Sequence, residues 1–303
     1  LAYFFTICGL FGTYALFQAN QLAMFVEGQY SIPRAYLGVT VALIVFYVLK
    51  GGLLRLAKVT SLLVPTMCLV YVFCCLLILG LNLTKIPGVF LQIFTEAFTG
   101  RAAAGGAMGV AFIHVLTTGI KRGAFSNEAG IGTAPMAHGN AKTPEPISEG
   151  LVAMLGPFLD TIIVCTMTAL VILVSLGDIS ASSETGIMLT VLAFEKSLPG
   201  FGTLFLGFCL FLFSFSTLVG SSNYNQKCWN FLFKGKGIFG KNLFISVYCL
   251  SIVFGAVVTV DVAINFLDIA FALMAIPNMI AVVVLAPKVK EAMKLYFEQY
   301  VAK

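Results

Sequence analysis

A glycine-rich polar segment, residues 119–133, is the densest group of residues in the sequence that could do chemistry. It reads Gly-Ile-Lys-Arg-Gly-Ala-Phe-Ser-Asn-Glu-Ala-Gly-Ile-Gly-Thr and interrupts an otherwise apolar chain. Because glycine adopts backbone conformations that other residues avoid, these glycines predict that a helix breaks here. Residues 130–133 would then open a second half-helix, whose N–H groups and dipole favour a carboxylate. A plain loop between two helices is the alternative interpretation.

Ionisable residues within apolar surroundings are functional candidates, because burying a charge in a membrane is costly. Asp160 lies well inside an apolar stretch, while Lys121, Arg122 and Glu128 lie in the glycine-rich segment. We expect gating or structural roles for these four. For Asp160, a structural pair with Lys121, Arg122 or a hydroxyl is the alternative, and Asp268, near a helix end, is predicted to be structural.

A cluster of hydroxyls lies in the sixth apolar stretch of the chain, residues 202–222. Ser214, Thr217 and Ser221 share one helical face, and Ser216 is adjacent to Thr217. Na⁺ is a hard cation that prefers oxygen ligands, by analogy with other hard cations, so these hydroxyls predict a sodium site. Back-bonding of each hydroxyl to its own helix is the alternative.

Amides near the start of the chain are the remaining polar candidates. Gln18 and Gln21 share a helical face, with Asn20 between them. They predict either an interhelical hydrogen bond or a contact to a substrate. Near the other end, the pair Pro277-Asn278 predicts a helix kink that frees a carbonyl group.

The composition shows what must position these residues. Of 303 residues, 59% are apolar and 10% are charged, and the mean hydropathy is +1.00; an ordinary soluble domain has roughly 25% charged residues. These values exclude cytosolic enzymes and disordered scaffolds, and the net charge of +5 without a dense basic run argues against nucleic acid. The fold class is therefore all-α, a polytopic helical membrane protein.

No cofactor or metal site other than one for sodium is expected. Seven of the eight cysteines lie in apolar stretches, where cysteine is a small hydrophobe. The two histidines, His114 and His138, are isolated. Without a metal or a nucleophile constellation, we expect that the protein is not an enzyme.

Eight apolar stretches predict about eight transmembrane helices. Their limits are 3–26, 38–54, 60–82, 104–120, 150–176, 202–222, 243–260 and 265–286. Residues 287–303 place apolar side chains at helical spacing between lysines, which predicts an amphipathic helix on the membrane surface or packed on the bundle.

Lysine and arginine counts give the orientation. Of 18 such residues, 12 lie in one alternating set of loops and 4 in the other, with Lys121 and Arg122 left out. This bias predicts a cytoplasmic C-terminus. The alternation requires one net crossing within residues 84–138, made either by residues 104–120 or by a broken crossing over residues 120–138, as is typical of secondary transporters.

The sequence resembles the sodium:alanine symporter family. The resemblance is carried by residues 119–138 (GIKRGAFSNEAGIGTAPMAH) and 158–166 (FLDTIIVCT), with further matches at Gln18-Ala-Asn20 and residues 213–220. It covers nearly the whole chain. The chain begins with Leu1 inside an apolar stretch, so we expect an N-terminally truncated fragment.

The resemblance implies a leucine-transporter-type fold of two inverted five-helix repeats, of which this chain would hold core helices three to ten. Residues 1–83 would be the remainder of the first repeat, with three helices, and residues 84–118 an outer connecting segment. Residues 119–286 would form the second repeat, and residues 287–303 a cytoplasmic amphipathic tail.

The resemblance also implies a function: sodium-coupled import of small neutral amino acids (alanine or glycine) across the cell membrane by alternating access. A proton-coupled permease of the same fold, with Asp160 or Glu128 as proton carrier, is the alternative. The implied substrate-binding residues are Gln18, Phe125, Ser126, Asn127, Thr217 and Ser221, and the implied sodium-binding residues are Ser216 and Thr217. Many family members carry tryptophan at the position of Ser221, so we expect a bulkier or more polar substrate such as glutamine.

Overall fold

The computed structural model describes residues 1–99, 108–177, 179, 184, 186–234 and 237–300, and this part of the chain is mostly helical. Fourteen α-helices run in chain order through these ranges, and the longer ones cover the apolar stretches of the sequence. They are α1 Ala2–Gly12, α2 Leu16–Tyr30, α3 Arg34–Lys50, α4 Gly52–Leu81, α5 Ile86–Thr99, α6 Met108–Asn127, α7 Thr133–His138, α8 Pro146–Ala153, α9 Leu155–Pro157, α10 Thr166–Leu176, α11 Ile187–Ser197, α12 Gly202–Phe233, α13 Gly237–Val257 and α14 Val260–Tyr300. The all-α fold of a multi-pass membrane protein is confirmed.

Six helical segments in the described ranges are long and apolar enough to cross a membrane, against about eight predicted. They are Ala2–Tyr30, Lys58–Leu81, Pro146–Leu176, Gly202–Phe233, Gly240–Val257 and Val260–Tyr300. The stretch 38–54 falls on α3, whose 17 residues span about 25 Å, less than the hydrocarbon core of about 30 Å. The stretch 104–120 begins outside the described residues and continues into α6.

The sequence predicted one helix over the first apolar stretch, but the structure divides it into two. It breaks between α1 and α2, where Thr13 and Ala15 leave helical backbone geometry with ψ angles of 8° and 54°. The Thr13 hydroxyl donates to the Gly9 carbonyl at 2.7 Å, and Asn225 of α12 donates its amide to the Leu10 carbonyl at 2.6 Å. The Asn225 bond thus satisfies a carbonyl group at the end of α1, where the Tyr14 N–H bonds to Phe11 instead.

Close helix packing holds α2 against α13. Gly255 lies so near α2 that an added Cβ would meet the Leu16 Cα and carbonyl oxygen at 2.9 Å. The Asn20 side chain is fully buried and donates to the carbonyls of Gly255 and Val258 at 3.2 and 2.6 Å. Asn20 therefore bonds α2 to the end of α13. An interhelical hydrogen bond was one of the two interpretations that the sequence allowed for these amides.

A π-helical segment, Phe158–Cys165, joins α9 to α10. π-Helical turns are uncommon and occur frequently at functional sites. This one contains Asp160 and Thr161, and it lies beside the end of α6. The fifth apolar stretch is thus distorted at the position of its ionisable residue.

The last apolar stretch and the predicted tail form one continuous helix, α14, which contains Pro277 and Pro287. The side chains beyond Pro287 are mostly exposed up to Tyr300, so this part does not pack on the bundle. The helical character of the tail agrees with the sequence, while the inverted-repeat organisation and the repeat boundaries stay predictions.

Candidate functional site

The predicted helix break is present in the glycine-rich segment. α6 ends at Asn127 and α7 begins at Thr133, and between them Glu128, Gly130 and Gly132 adopt positive φ angles of 54°, 82° and 104°. Such angles suit glycine and are strained for glutamate. The break is held by Asn127, whose side-chain oxygen accepts from the Ala129 N–H at 2.9 Å. Asn278 secures it from α14, by donating to the Gly130 carbonyl at 2.8 Å.

Two side chains at the end of α6 bind the π-helical segment. The Ser126 hydroxyl donates to the Asp160 carboxylate at 2.6 Å. The Asn127 amide donates to the Thr161 hydroxyl at 3.0 Å. Asp160 therefore pairs with a hydroxyl, one of the partners expected from sequence, and Ser126 and Asn127 are turned toward this pairing.

A small cavity lies where the two breaks meet, and we call it the break cavity. Its volume is about 30 Å³, and it is bounded by the α1–α2 break, the α6–α7 break, α12 and α14. The residues that line it are Gly12, Thr13, Tyr14, Ala15, Gln18, Phe125, Glu128, Thr133, Thr217, Ser221, Tyr224, Leu267 and Phe271. The structure thus brings together Gln18, Phe125, Thr217 and Ser221, four of the six residues predicted to bind substrate.

Polar groups of the break cavity are available for a ligand. The side chains of Gln18, Thr217 and Ser221 make no hydrogen bond to any other residue in the described part of the chain. All three side chains are half-buried at the cavity wall, and polar groups placed in this way are typical of sites that bind polar ligands. These three side chains can therefore bind a solute or an ion from α2 and α12.

A second cavity, of about 390 Å³, adjoins the first and shares Gln18 and Thr217 with it. Its volume is in the range of roughly 300–1,000 Å³ that is usual for small-molecule sites. Gln21 and Ser214 also line it, but Gln21 is engaged: its side-chain oxygen accepts from the Ile187 N–H at 3.2 Å. We call this larger space the side cavity.

Ser216 faces away from both cavities. Its hydroxyl donates to the Phe213 carbonyl at 3.0 Å and contacts the Met67 sulfur of α4 at 3.4 Å. This is the back-bonding alternative that the sequence left open. Of the two predicted sodium ligands, only Thr217 lines the cavities.

Arg122 and Lys121 have separate environments. Arg122 donates to both carboxylate oxygens of Asp268 at 2.5 and 2.6 Å, and its guanidinium lies 5.4 Å from the centre of the Phe125 ring. Lys121 is exposed. Arg122 therefore pairs with Asp268 and not with Asp160.

The eight cysteines all lie in the described part of the chain and are free. In the same part, no group of three or more His, Cys, Asp or Glu side chains is placed to hold a metal ion. His138 pairs with Glu149, their side-chain nitrogen and oxygen 2.6 Å apart.

Glu195 organises the entry to α12, outside the candidate membrane spans. Its carboxylate accepts from the backbone N–H groups of Gly200 and Thr203 at 2.7 and 2.9 Å and from the Thr203 hydroxyl at 2.7 Å. These donors stabilise the charged form, so the pKa of Glu195 lies below its usual value. Glu195 is thus an N-terminal anchor for the helix that carries Thr217 and Ser221.

Sequence reasoning missed Thr13, Thr133 and Tyr224, which also line the break cavity. The pair Gly12-Thr13 in the middle of an apolar stretch was the available signal for the first break. Tyr224 lies one helical turn beyond Ser221 and extends the hydroxyl face that the sequence did show.

A helical membrane protein with two broken helices around a shared polar cavity has the architecture of a secondary transporter. The chain belongs to the sodium:alanine symporter family, which it matches over residues 1–303.

Several relatives in this family are named as transporters or symporters. The sodium/alanine symporter AgcS of Methanococcus maripaludis is 35% identical over 97% of this chain and 64% of its own length. The "Probable sodium/glutamine symporter GlnT" of Bacillus subtilis is 33% identical over 93% of the chain and 58% of its own length. An uncharacterized transporter of Haemophilus influenzae is 35% identical over 98% and 65%. The chain thus spans about 60% of the length of such relatives.

Proposed function

We propose that the protein is a sodium-coupled symporter that imports small neutral amino acids by alternating access. The observation that carries this proposal is the break cavity, where two interrupted helices and α12 present unpartnered polar side chains next to the larger side cavity. The relatives named as sodium/alanine and sodium/glutamine symporters support the same class of solute. No covalent step is needed, so the proposed protein is a carrier and not an enzyme.

In this proposal the substrate occupies the side cavity. It contacts Gln18 and Thr217, which line both the side cavity and the break cavity. Phe125 closes one wall, with its ring packed edge-on against Phe17 at 5.4 Å. Ser126 and Asn127, predicted from sequence to bind substrate, line neither cavity; in this proposal they tie the end of α6 to Asp160 and Thr161 of the π-helical segment. Sodium binds beside the substrate with Thr217 as a ligand.

The proposed orientation places the C-terminus in the cytoplasm. It rests on the uneven distribution of lysine and arginine between the two sets of loops. Lysines on the exposed end of α14, such as Lys288, Lys290 and Lys294, belong to the cytoplasmic set.

Uptake into proteoliposomes tests the function. We expect labelled alanine to accumulate with an inward Na⁺ gradient and not with K⁺ in its place at the same pH. Gln18→Ala is expected to abolish accumulation, whereas Thr40→Val, which alters an exposed hydroxyl bonded to its own helix, leaves it unchanged. Uptake that ignores Na⁺ and follows the pH gradient would establish proton coupling and contradict the proposal.

A further inference from the structure

Glu128 places a carboxyl group in the wall of the break cavity without a compensating charge. In the described part of the chain it forms no ion pair. A carboxylate inside a membrane protein is stable only when a cation or a proton neutralises it.

The basic side chains close to Glu128 along the chain or on the neighbouring α7 and α12 do not pair with it in the described residues, and Lys121 is exposed. Arg122 is paired with Asp268 on α14. Lys227 of α12 donates to the Met136 carbonyl at the end of α7. His138 is paired with Glu149. In the described part of the chain these basic groups therefore pair with other residues or lie exposed, and none of them neutralises Glu128.

The hydroxyl of Thr133 is the second observation that points to a ligand. Thr133 is 1% exposed, and its Oγ1 atom has no hydrogen-bond partner. It lines the break cavity and faces the Glu128 carboxyl without completing a hydrogen bond of ordinary geometry. Leaving a buried hydroxyl unsatisfied costs about 1–3 kcal/mol, so a ligand that accepts its lone pairs removes this cost.

The size of the break cavity selects the kind of ligand. At about 30 Å³ it is far smaller than the side cavity of about 390 Å³ and has room for an ion or one or two waters. Its polar lining consists of a carboxylate, hydroxyls and the amide of Gln18, all hard oxygen donors. Hard oxygen donors around a small space favour a small hard cation over an organic molecule.

The backbone fixes these donors in place. Glu128 has φ 54°, and Gly132 near the end of the same break has φ 104° and lies so close to Phe5 that an added Cβ would be 2.5 Å from its ring. A strained conformation of this kind persists only when the surrounding packing enforces it. The backbone of Glu128 is thus held in the conformation that places the residue in the wall of the cavity.

We propose that Glu128 and Thr133 form a sodium-binding site in the break cavity, which Thr217 also lines, and that Ser216, predicted from sequence as a sodium ligand, takes no part in it. The carboxylate supplies the negative charge, and the Thr133 hydroxyl supplies a neutral oxygen ligand. The site links the α6–α7 break to the ion, so sodium binding stabilises the strained segment between the two helices. This inference rests on the proposed function, because it deepens the account of the coupling ion.

Binding of ²²Na⁺ to the purified protein in detergent tests the site. We expect Glu128→Gln to weaken the affinity at least about tenfold and Thr133→Val to weaken it about threefold or more, while Thr133→Ser, which keeps the hydroxyl, restores most of it. Glu96→Gln and Thr40→Val, both exposed, serve as matched controls with unchanged binding. Size-exclusion profiles confirm that each variant is folded, and Thr133→Val provides a test even where Glu128→Gln does not fold.

The possible outcomes distinguish failure of this sodium site from failure of the proposed function. Wild-type protein that binds no ²²Na⁺ and transports without Na⁺ refutes the proposed function itself. Wild-type Na⁺-dependent uptake, with unchanged ²²Na⁺ affinity in Glu128→Gln and Thr133→Val, refutes only this site. Loss of proton movement with retained ²²Na⁺ binding in Glu128→Gln would show that the carboxyl carries a proton, which also overturns the sodium assignment.

Discussion

Asp268 of α14 and Arg122 of α6 form a two-point ion pair, with both carboxylate oxygens within 2.6 Å of the same guanidinium nitrogen. The guanidinium also lies over the Phe125 ring, whose opposite contacts are Phe17 and Phe271. Asp268 therefore fixes Phe125 at the wall of the break cavity through Arg122, although Asp268 itself lines neither the break cavity nor the side cavity. It is a positioning residue for the aromatic wall of the site.

Removing the charge of Asp268 should loosen this wall. We expect Asp268→Asn to raise the KM for amino-acid uptake more than it lowers the maximal rate, because Phe125 loses its fixed orientation. A double-mutant cycle with Arg122→Gln should give a coupling free energy of about 1 kcal/mol, since the Arg122 side chain is 38% exposed and solvent screens the pair. Asp261→Asn, at the exposed start of the same helix, is the control. Additive effects of the two substitutions would contradict the coupling.

The contact between α2 and α13 should tolerate no side chain at Gly255. Gly255→Ala is expected to lower the free energy of unfolding by about 1–3 kcal/mol, because the new Cβ meets the Leu16 backbone, which cannot move aside easily. Gly220→Ala on α12 has open space around its Cβ and should be neutral or slightly stabilising. Thermal unfolding in detergent measures both, and equal midpoints for the two variants would refute the close approach.

Glu195 should make the stability of the fold against unfolding depend on pH. Its folded pKa is below its unfolded value of about 4.3. Its contribution is therefore fully present well above that value and is lost as the pH falls through the folded pKa. We expect thermal midpoints of wild type and Glu195→Gln to differ at pH 7 and to converge in strong acid. A constant difference at every pH would show that the carboxylate is not the stabilising group.

Ser221 should set the size of the accepted substrate. It lines the break cavity beside Thr217, so an indole at this position would fill that space and enter the side cavity. We expect glutamine to compete with labelled alanine for uptake by the wild type, and Ser221→Trp to weaken this competition while alanine and glycine are retained. Strict preference of the wild type for alanine and glycine would refute the expectation of a bulkier substrate.

The sequence predicted the broken α6–α7 segment because its cause is local: glycines at residues 130 and 132 permit the positive φ angles that the break requires. It also predicted that Gln18 and Thr217 meet at one site, through the family resemblance. The break at Thr13 was not predicted, since it is stabilised by Asn225, which lies 212 residues further along the chain. Partners that distant leave no periodic signal around the break itself.

The orientation of neighbouring hydroxyls also lay beyond sequence reasoning. Ser216 and Thr217 differ by 100° around α12, so only one of two adjacent hydroxyls can face a given cavity. Which one does depends on the rotation of α12, and this is set by its packing against α4, where Ser216 meets Met67. Similarly, the choice of Arg122 between Asp160 and Asp268 depends on how α14 lies against α6.

The interruption at Thr13 divides the first membrane segment between different neighbours. α1 packs mainly on α14 and α12, whereas α2 packs mainly on α13, α12 and α3. The three residues between them also line the break cavity. A change in a few backbone torsions there would act as a hinge, tilting α1 with α14 while α2 stays on its own partners. The floor of the cavity would then open or close without repacking either helix.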